Sequence, residues 1–272
     1  IGVSAAKALA RRQAQVSLIA GSPRVLSTLL DEEASALAER ALVQAGVKVI
    51  TQSGGERITR RNSLNVALGS GETVTADLVV VGRGVRPNLE LTSGTPIQVE
   101  KGIVVDRHME TSVADIFACG DVAQAFDIIY EQNRLNPNWP NAFRGGRVAG
   151  YNMAGSNLTF AGIGSNSLNL FGLPIMAAGR VAPEEGWDVL YRRGQGVYKK
   201  LLLHQGRLMG LIMVGDIRRS GIIVDLLRQR VDVRPFQKSL LAEDFGLASL
   251  PVGLRHQMLE RAKQRNESAT AV

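Results

Sequence analysis

Residues 1–50 switch period three times, and that order constrains the fold more than any other feature of the chain. Ile1–Leu9 has helical texture, built largely of small residues. Val16–Ile19 is a short apolar run ending near Gly21, the pattern of a buried strand. Asp31 stands where an N-cap belongs, and Glu32 and Glu33 follow in the first turn, where the helix dipole favours negative charge. Ala34, Leu37, Ala38, Ala41, Leu42 and Ala45 repeat at helical spacing, Gly46 stops the helix, and Val47–Ile50 is the next strand. Helix, strand, helix, strand predicts a parallel sheet with crossover helices. No N-cap residue precedes Ile1 and no strand leads into its helix. The first strand of the unit, with its upstream sequence, is therefore expected to lie outside these 272 residues.

Farther along, Leu64–Leu68 and Glu72–Thr75 flank Gly69-Ser70-Gly71, a hairpin signal. Leu78–Val81 is continuously apolar, as for a central strand covered on both faces, and runs into Gly82-Arg83-Gly84-Val85-Arg86-Pro87-Asn88. A linker follows to about Glu100. Ile103–Val105 and Ile116–Cys119 read as strands, the second ending in Gly120-Asp121. Pro140 leads into a helix over Asn141–Ala154 that Gly155 closes. From Phe160 onward strand follows strand: Pro174–Ala178, Val189–Tyr191, Val197–Leu203 and Leu208–Val214, with Gly206 turning the last hairpin. A helix over Arg218–Arg230 comes next, then a charged helical tail from Arg255, expected to fray over Asn266–Val272.

Composition removes several classes. The chain is 45% hydrophobic and 21% charged, ordinary globular usage that excludes a disordered chain. Apolar runs such as Leu78–Val81 and Leu211–Val214 are too short for a membrane-spanning helix. The 32 Lys and Arg against 25 Asp and Glu give a net charge of +7, a mild bias without the dense basic stripe of a nucleic-acid binder. A single cysteine, Cys119, excludes an internal disulfide, a dithiol centre and a cysteine-only metal site. Set in an apolar run, it is expected to be a buried structural thiol. His108, His204 and His256 are isolated from one another and read as surface or packing residues, so no metal site is expected. Gly-x-Ser-x-Gly and Walker patterns do not occur, which leaves hydrolase and phosphotransferase readings unsupported.

Two places carry chemistry. Gly2 heads a small-residue helix whose next strand is Val16–Ile19, the place of a glycine that lets a helix pack close to its strand while its N-terminus faces a pyrophosphate. Gly120-Asp121 ends an apolar run. The glycine permits close approach of a ligand to the backbone, and the aspartate offers acceptors to ligand hydroxyls. Each is commonplace alone.

In combination they resemble a known family, the two-dinucleotide-domain flavoproteins of the pyridine nucleotide-disulfide reductase superfamily. Ala76–Gly82 with Gly84-Val85-Arg86-Pro87-Asn88 resembles the end of its NAD(P)-binding domain, and Thr111–Val122 its second FAD motif. Trp139–Ala142, Gly145-Gly146-Arg147-Val148-Ala149 and Asn152–Gly155 resemble the helix after that motif. Phe171-Gly172-Leu173 and Leu208–Asp216 are similar to the end domain of the NADH oxidase, rubredoxin reductase and nitrite reductase flavoprotein branch.

The resemblance implies an α/β chain in three parts. These are a Rossmann-like NAD(P) domain over 1–88 lacking its first strand, the returning half of an FAD domain over 89–158, and an α+β domain over 159–255, with a tail over 256–272. It implies FAD and NAD(P)H as cofactors, and hydride transfer from nicotinamide to flavin followed by electron delivery to a redox protein or another acceptor. It places Gly2, Gly82, Gly84 and Pro87 at the nicotinamide nucleotide, and Gly120, Asp121 and Val122 at the FAD ribityl chain. The backbone of Asn141 and Ala142 falls at the flavin pyrimidine edge. No residue is assigned a catalytic acid–base role, because hydride transfer needs none.

The implied partners are the nucleotide and a small iron–sulfur redox protein or redox subunit, with no nucleic acid and no membrane span, in the cytoplasm. The C-terminal domain is expected to pack on the flavin side or to form a homodimer interface. The chain departs from the family at Ala20, where an acidic residue often binds the ribose of NADH, and Ser22 and Arg24 could take a 2′-phosphate instead. NADH and NADPH both stay open, as does a non-catalytic scaffold or electron-transfer subunit with a degenerate nucleotide site.

Overall fold

A computed structural model describes the backbone of residues 1–270 and side chains through Lys263. The chain opens with α1 (Gly2–Ala10), β1 (Ser17–Ile19), α2 (Glu32–Gln44) and β2 (Lys48–Ile50), and β1 pairs in parallel with β2, Leu18 opposite Val49. Asp31 caps α2 as its position predicts, its carboxylate accepting from the Ala34 amide at 3.1 Å. Three short strands, β3 (Gly55–Arg60), β4 (Leu64–Leu68) and β5 (Thr73–Ala76), form a separate antiparallel sheet. The sequence pattern conceals β3, since five of its six residues are exposed.

Leu78–Val81 is not the central strand its composition predicts. It joins no ladder, and Leu78, Val80 and Val81 are exposed. Its apolar character is that of a strand, but a strand also needs a neighbour for its backbone groups. Here β1 and β2 pair only with each other, and β3–β5 close a sheet of their own.

The middle of the chain holds β6 (Ile103–Val104), β7 (Ala123–Asp127) and β8 (Gln132–Leu135), with β6 parallel and β8 antiparallel to β7. The expected strand Ile116–Cys119 is instead part of a tight loop. Phe117 makes one isolated bridge, to Glu110, and Asp115 turns the chain at φ +65°. The helix α3 (Trp139–Met153) follows, capped by Asn138, whose side chain accepts from the Asn141 amide at 2.9 Å.

The C-terminal region is built on one antiparallel sheet of five strands in the order β11-β12-β13-β10-β9. These are β9 (Ser165–Leu170), β10 (Leu173–Gly179), β11 (Asp188–Gly194), β12 (Val197–His204) and β13 (Arg207–Val214). Nearly every residue of β12 and β13 is buried, because both sheet faces are covered. On one face Leu170, Ile175, Tyr198, Ile212 and Val214 share a core with Leu30, Ala34, Ala38 and Leu42 at and along α2. On the other, Leu201, Leu203, Leu211 and Met213 meet Ile223, Leu226 and Leu227 of α4 (Ser220–Arg228), with Phe236, Leu240 and Phe245. The chain itself thus covers both faces of these strands.

The last helix, α5 (Val252–Thr270), starts before Arg255 and continues through most of the stretch expected to fray, while Ala271 and Val272 lie outside the described residues. Among the described residues no helix is long and apolar enough to cross a membrane.

Candidate functional site

The structure brings Gly2 and Gly82 together. A Cβ placed on Gly82 would stand 2.8 Å from the Gly2 nitrogen and 3.0 Å from its Cα, so only glycine permits this approach. Gly2 is the first residue of α1, whose N-terminus has no side-chain cap. Helix amides left without partners beside a glycine loop are donors that suit an anionic group. Gly84, at φ +91°, continues the loop, and Pro87 ends it half-buried.

The loop between β1 and α2 carries the other two nucleotide candidates. Its start is pinned to the end of β2: the Ala20 amide donates to the Ile50 carbonyl at 2.8 Å, and the Gln52 amide to the Ser22 carbonyl at 2.9 Å. The Ser22 hydroxyl donates to the Arg24 carbonyl at 2.8 Å. Arg24 is half-buried, and its Nε is enclosed without a hydrogen-bond partner. An enclosed guanidinium donor with nothing to bond is costly unless a ligand supplies the acceptor.

Sequence reasoning read Asp31 as a cap and missed its second role. One carboxylate oxygen caps α2, while the other accepts from Tyr198 Oη at 2.6 Å and from Lys200 Nζ at 2.9 Å, both on β12. Lys200 is 5% exposed and also donates to the Val181 carbonyl at 3.0 Å. Burial pushes the Asp31 carboxyl up, but the Tyr198 hydroxyl, the Lys200 ammonium and the Ala34 amide together outweigh it and leave it below its ordinary value. Burial, and then the bond to Asp31, drive the Tyr198 hydroxyl well above its ordinary range. The available signal was two consecutive lysines, Lys199 and Lys200, inside an otherwise apolar strand.

The flavin candidates form a second group. Gly120 adopts φ +81°, and the short turn Gly120–Val122 packs against α3. Asp121, expected to face a cavity, is exposed and makes no hydrogen bond or ion pair among the described residues. Two further expectations change. Cys119 is exposed rather than buried, because its segment leaves the sheet and lies over Gly145 and Gly146 of α3. The amides of Asn141 and Ala142 are both engaged by Asn138, through its side chain at 2.9 Å and its carbonyl at 3.0 Å, so neither is a free donor. The buried Asn141 side chain is also spent, on the Ile163 carbonyl at 3.0 Å. What α3 can offer a ligand there is the field of its N-terminus.

Two cavities lie elsewhere, in the C-terminal region. One of about 70 Å³ is lined by Lys199, Asp216, Arg218, Arg219 and Phe245 among others. A wider groove of about 540 Å³ runs along Val189–Tyr191 beside Arg234 and Lys238. In the first, Lys199 Nζ donates to Asp216 at 2.8 Å, and Arg218 and Lys199 hold the Asp216 carboxyl far below the usual range. No group of three metal-ligating side chains occurs among the described residues.

Comparison with known proteins gives a consistent result. A pyridine nucleotide-disulphide oxidoreductase family model matches residues 1–146, more than half the chain, and a rubredoxin NAD+ reductase C-terminal domain model matches residues 165–231. The chain is 29% identical to the NADH-dependent phenylglyoxylate dehydrogenase subunit epsilon of Aromatoleum evansii, over 89% of its own length and 59% of the relative's. It is 26% identical to an NADH oxidase of Methanocaldococcus jannaschii, over 97% of its length and 62% of the relative's. It thus spans about three fifths of both relatives. A ferredoxin reductase from Rhodopseudomonas palustris shares the fold with a TM-score of 0.78 at 23% identity, over 90% of this chain and 61% of that one.

Proposed function

The chain belongs to the pyridine nucleotide-disulphide oxidoreductase family, and from that premise we propose that it serves an FAD-dependent NAD(P)H oxidoreductase delivering electrons to a small redox protein. We assign 1–88 to NAD(P) binding, 89–158 to the returning half of the FAD domain, 159–255 to the C-terminal domain and 256–272 to a tail. When bound, the flavin would take a hydride from the nicotinamide and pass electrons to a second acceptor.

The residues present fit both groups, though unequally. At the nucleotide, the uncapped α1 N-terminus against Gly82 would take a pyrophosphate, and the Arg24 guanidinium on the Ser22 loop would take the ribose or its 2′-phosphate. At the flavin, Gly120 would leave room for the ribityl chain, Asp121 would accept from its hydroxyls and Val122 would border it. The α3 N-terminus at Asn141 and Ala142 would lie at the pyrimidine edge, where its field would favour the negative charge of the reduced ring by roughly 0.3–1 kcal/mol. The protein's contribution is to orient two bound rings and exclude water, which requires no acid or base. With one cysteine, the chain itself holds no dithiol for disulfide reduction. We place the reaction in the cytoplasm and assign it a small iron–sulfur acceptor such as rubredoxin, the acceptor being supported by the match over 165–231.

The approach of Gly82 to Gly2 carries this reading, because it sets a glycine loop against a helix start without a side-chain cap, an arrangement that suits an anionic group. Anaerobic titration of the full-length, flavin-loaded protein with NADH and NADPH tests it, and bleaching of the flavin absorbance is the expected result. The second reading, a non-catalytic scaffold, is favoured by Ala20, which puts no carboxylate at the end of β1. Absence of bleaching with both nucleotides would replace the first reading by the second.

A further inference from the structure

The loop that carries Ser22 and Arg24 does not rest on its own domain alone. Val25 and Leu30 are 2% and 0% exposed, and they share a core with Ile175, Ala177, Tyr198, Ile212 and Val214 of the C-terminal sheet. At the far end of the loop, Asp31 is gripped by Tyr198 and Lys200 from β12. In the first turn of α2, Glu33 pairs with Arg193 of β11 through both carboxylate oxygens at 2.9 Å. The β2 side of the loop is tied by the amides of Ala20 and Gln52, so its two ends are anchored to different domains, with Arg24 between them.

A buried lysine facing a carboxylate is an expensive way to hold two surfaces together, since apolar residues of the same volume often do as well or better. What an ion pair adds is fixed geometry: the Asp31 oxygens can satisfy the Ala34 amide, Tyr198 and Lys200 together only in one arrangement.

We infer that Lys200 and Tyr198 are positioning residues for the nicotinamide nucleotide. They clamp Asp31, and through it hold the Ser22–Arg24 turn where the Arg24 guanidinium meets the adenosine ribose or its 2′-phosphate. The C-terminal domain is then part of the nucleotide site as well as a candidate platform for the electron acceptor. This inference rests on the NAD(P)H reading above.

The test uses the full-length, flavin-loaded protein with Lys200→Met, Tyr198→Phe and Lys200→Arg. Calorimetric titrations with NADH, NADPH and the probe 2′,5′-ADP report the adenosine end directly. Expected results are a rise of about 5- to 50-fold in Kd for Lys200→Met and Tyr198→Phe, partial recovery in Lys200→Arg, and a loss that falls on KM more than on kcat. Faster amide exchange confined to residues 20–31 accompanies it. If Lys200→Met does not fold, Tyr198→Phe, which removes one oxygen, decides the matter. Wild-type binding with variant Kd values within about twofold overturns the positioning role and leaves the proposed function standing. A wild-type protein that binds none of the three probes overturns both.

Discussion

The pair β12–β13 and the turns at Gly82–Pro87 and Gly120–Val122 are opposite solutions within one chain. The strands are enclosed on both faces, by α2 and by α4, and even their lysines are buried and paired. The turns are half-buried or exposed, rich in glycine, and their polar groups are largely uncommitted. Stability is concentrated in the C-terminal sheet, while the donors and acceptors proposed for ligands stand on rims that contribute little to it. Substitutions should therefore separate cleanly into those that unfold the protein and those that only disarm it.

The largest effects belong to the sheet. Gly210 faces Gly179 across the β10–β13 ladder, and a Cβ on Gly210 would run into the Arg180 carbonyl. No flexible side chain can yield there, so Gly210→Ala is expected to cost about 3 kcal/mol or more. Leu202, 1% exposed, should cost about 3–5 kcal/mol as Leu202→Ala. Urea unfolding midpoints measure both, and a Gly210→Ala protein as stable as wild type would break the contrast at its strongest point.

Next come the ion pairs that stitch the sheet to its neighbours. Asp31→Ala removes the cap of α2 and leaves Lys200 buried without its carboxylate, so a loss of about 3 kcal/mol is expected. The pH dependence sharpens this. Asp31 and Asp216 both titrate lower in the fold than in the unfolded chain, so their contributions are present in full above the unfolded value near about pH 4 and disappear as the pH falls through the folded one. Tyr198 is shifted upward, so its contribution is lost as the pH rises above about 10. Stability measured from acid to alkaline pH should show both limbs, and Asp31→Ala should flatten each. Limbs unchanged in the variant would mean that the clamp contributes nothing to them.

How far the sequence could be read follows the same division. The cap at Asp31, the hairpin across Gly69–Gly71 and four of the five strands of the C-terminal sheet were legible, because local period and turn chemistry specify them, whereas β9, polar at Ser165, Asn166, Ser167 and Asn169, was not read. Leu78–Val81 and Ile116–Cys119 were misread, because apolar character marks a segment that could pair but not whether a partner edge lies beside it. The glycines at positions 2 and 82 were named separately, yet their mutual approach is a tertiary fact. The Asp31–Tyr198–Lys200 clamp joins residues more than 160 positions apart, and no periodicity connects them. The engagement of the Asn141 and Ala142 amides was hidden one step upstream, in Asn138 acting as cap.

On the rims the expected cost to stability is small and the cost to function large. Asp121 is exposed and unpaired among the described residues, so Asp121→Ala should shift stability by no more than about 0.5 kcal/mol. A carboxylate bonded to ribityl hydroxyls contributes about 1.5–3 kcal/mol, so FAD affinity of the full-length protein should fall roughly 10- to 100-fold. Flavin retained through gel filtration measures it. A variant that keeps its flavin would remove Asp121 from the cofactor site while leaving the family assignment intact.

The smallest effect is expected at Cys119. The thiol lies on an exposed turn immediately before Gly120, against the glycines of α3. Replacing it with serine removes no enclosed apolar volume, so Cys119→Ser should change stability by less than about 0.5 kcal/mol, whereas a polar hydroxyl in a sealed core costs about 1–3 kcal/mol. The same exposure predicts that the native protein reacts with Ellman's reagent at one thiol per chain without denaturant, since reaction needs only an accessible thiolate. The two measurements check each other. A thiol silent until unfolding, with a serine variant that loses stability, would return residues 116–119 to a covered strand and move the boundary between core and rim to the far side of Gly120.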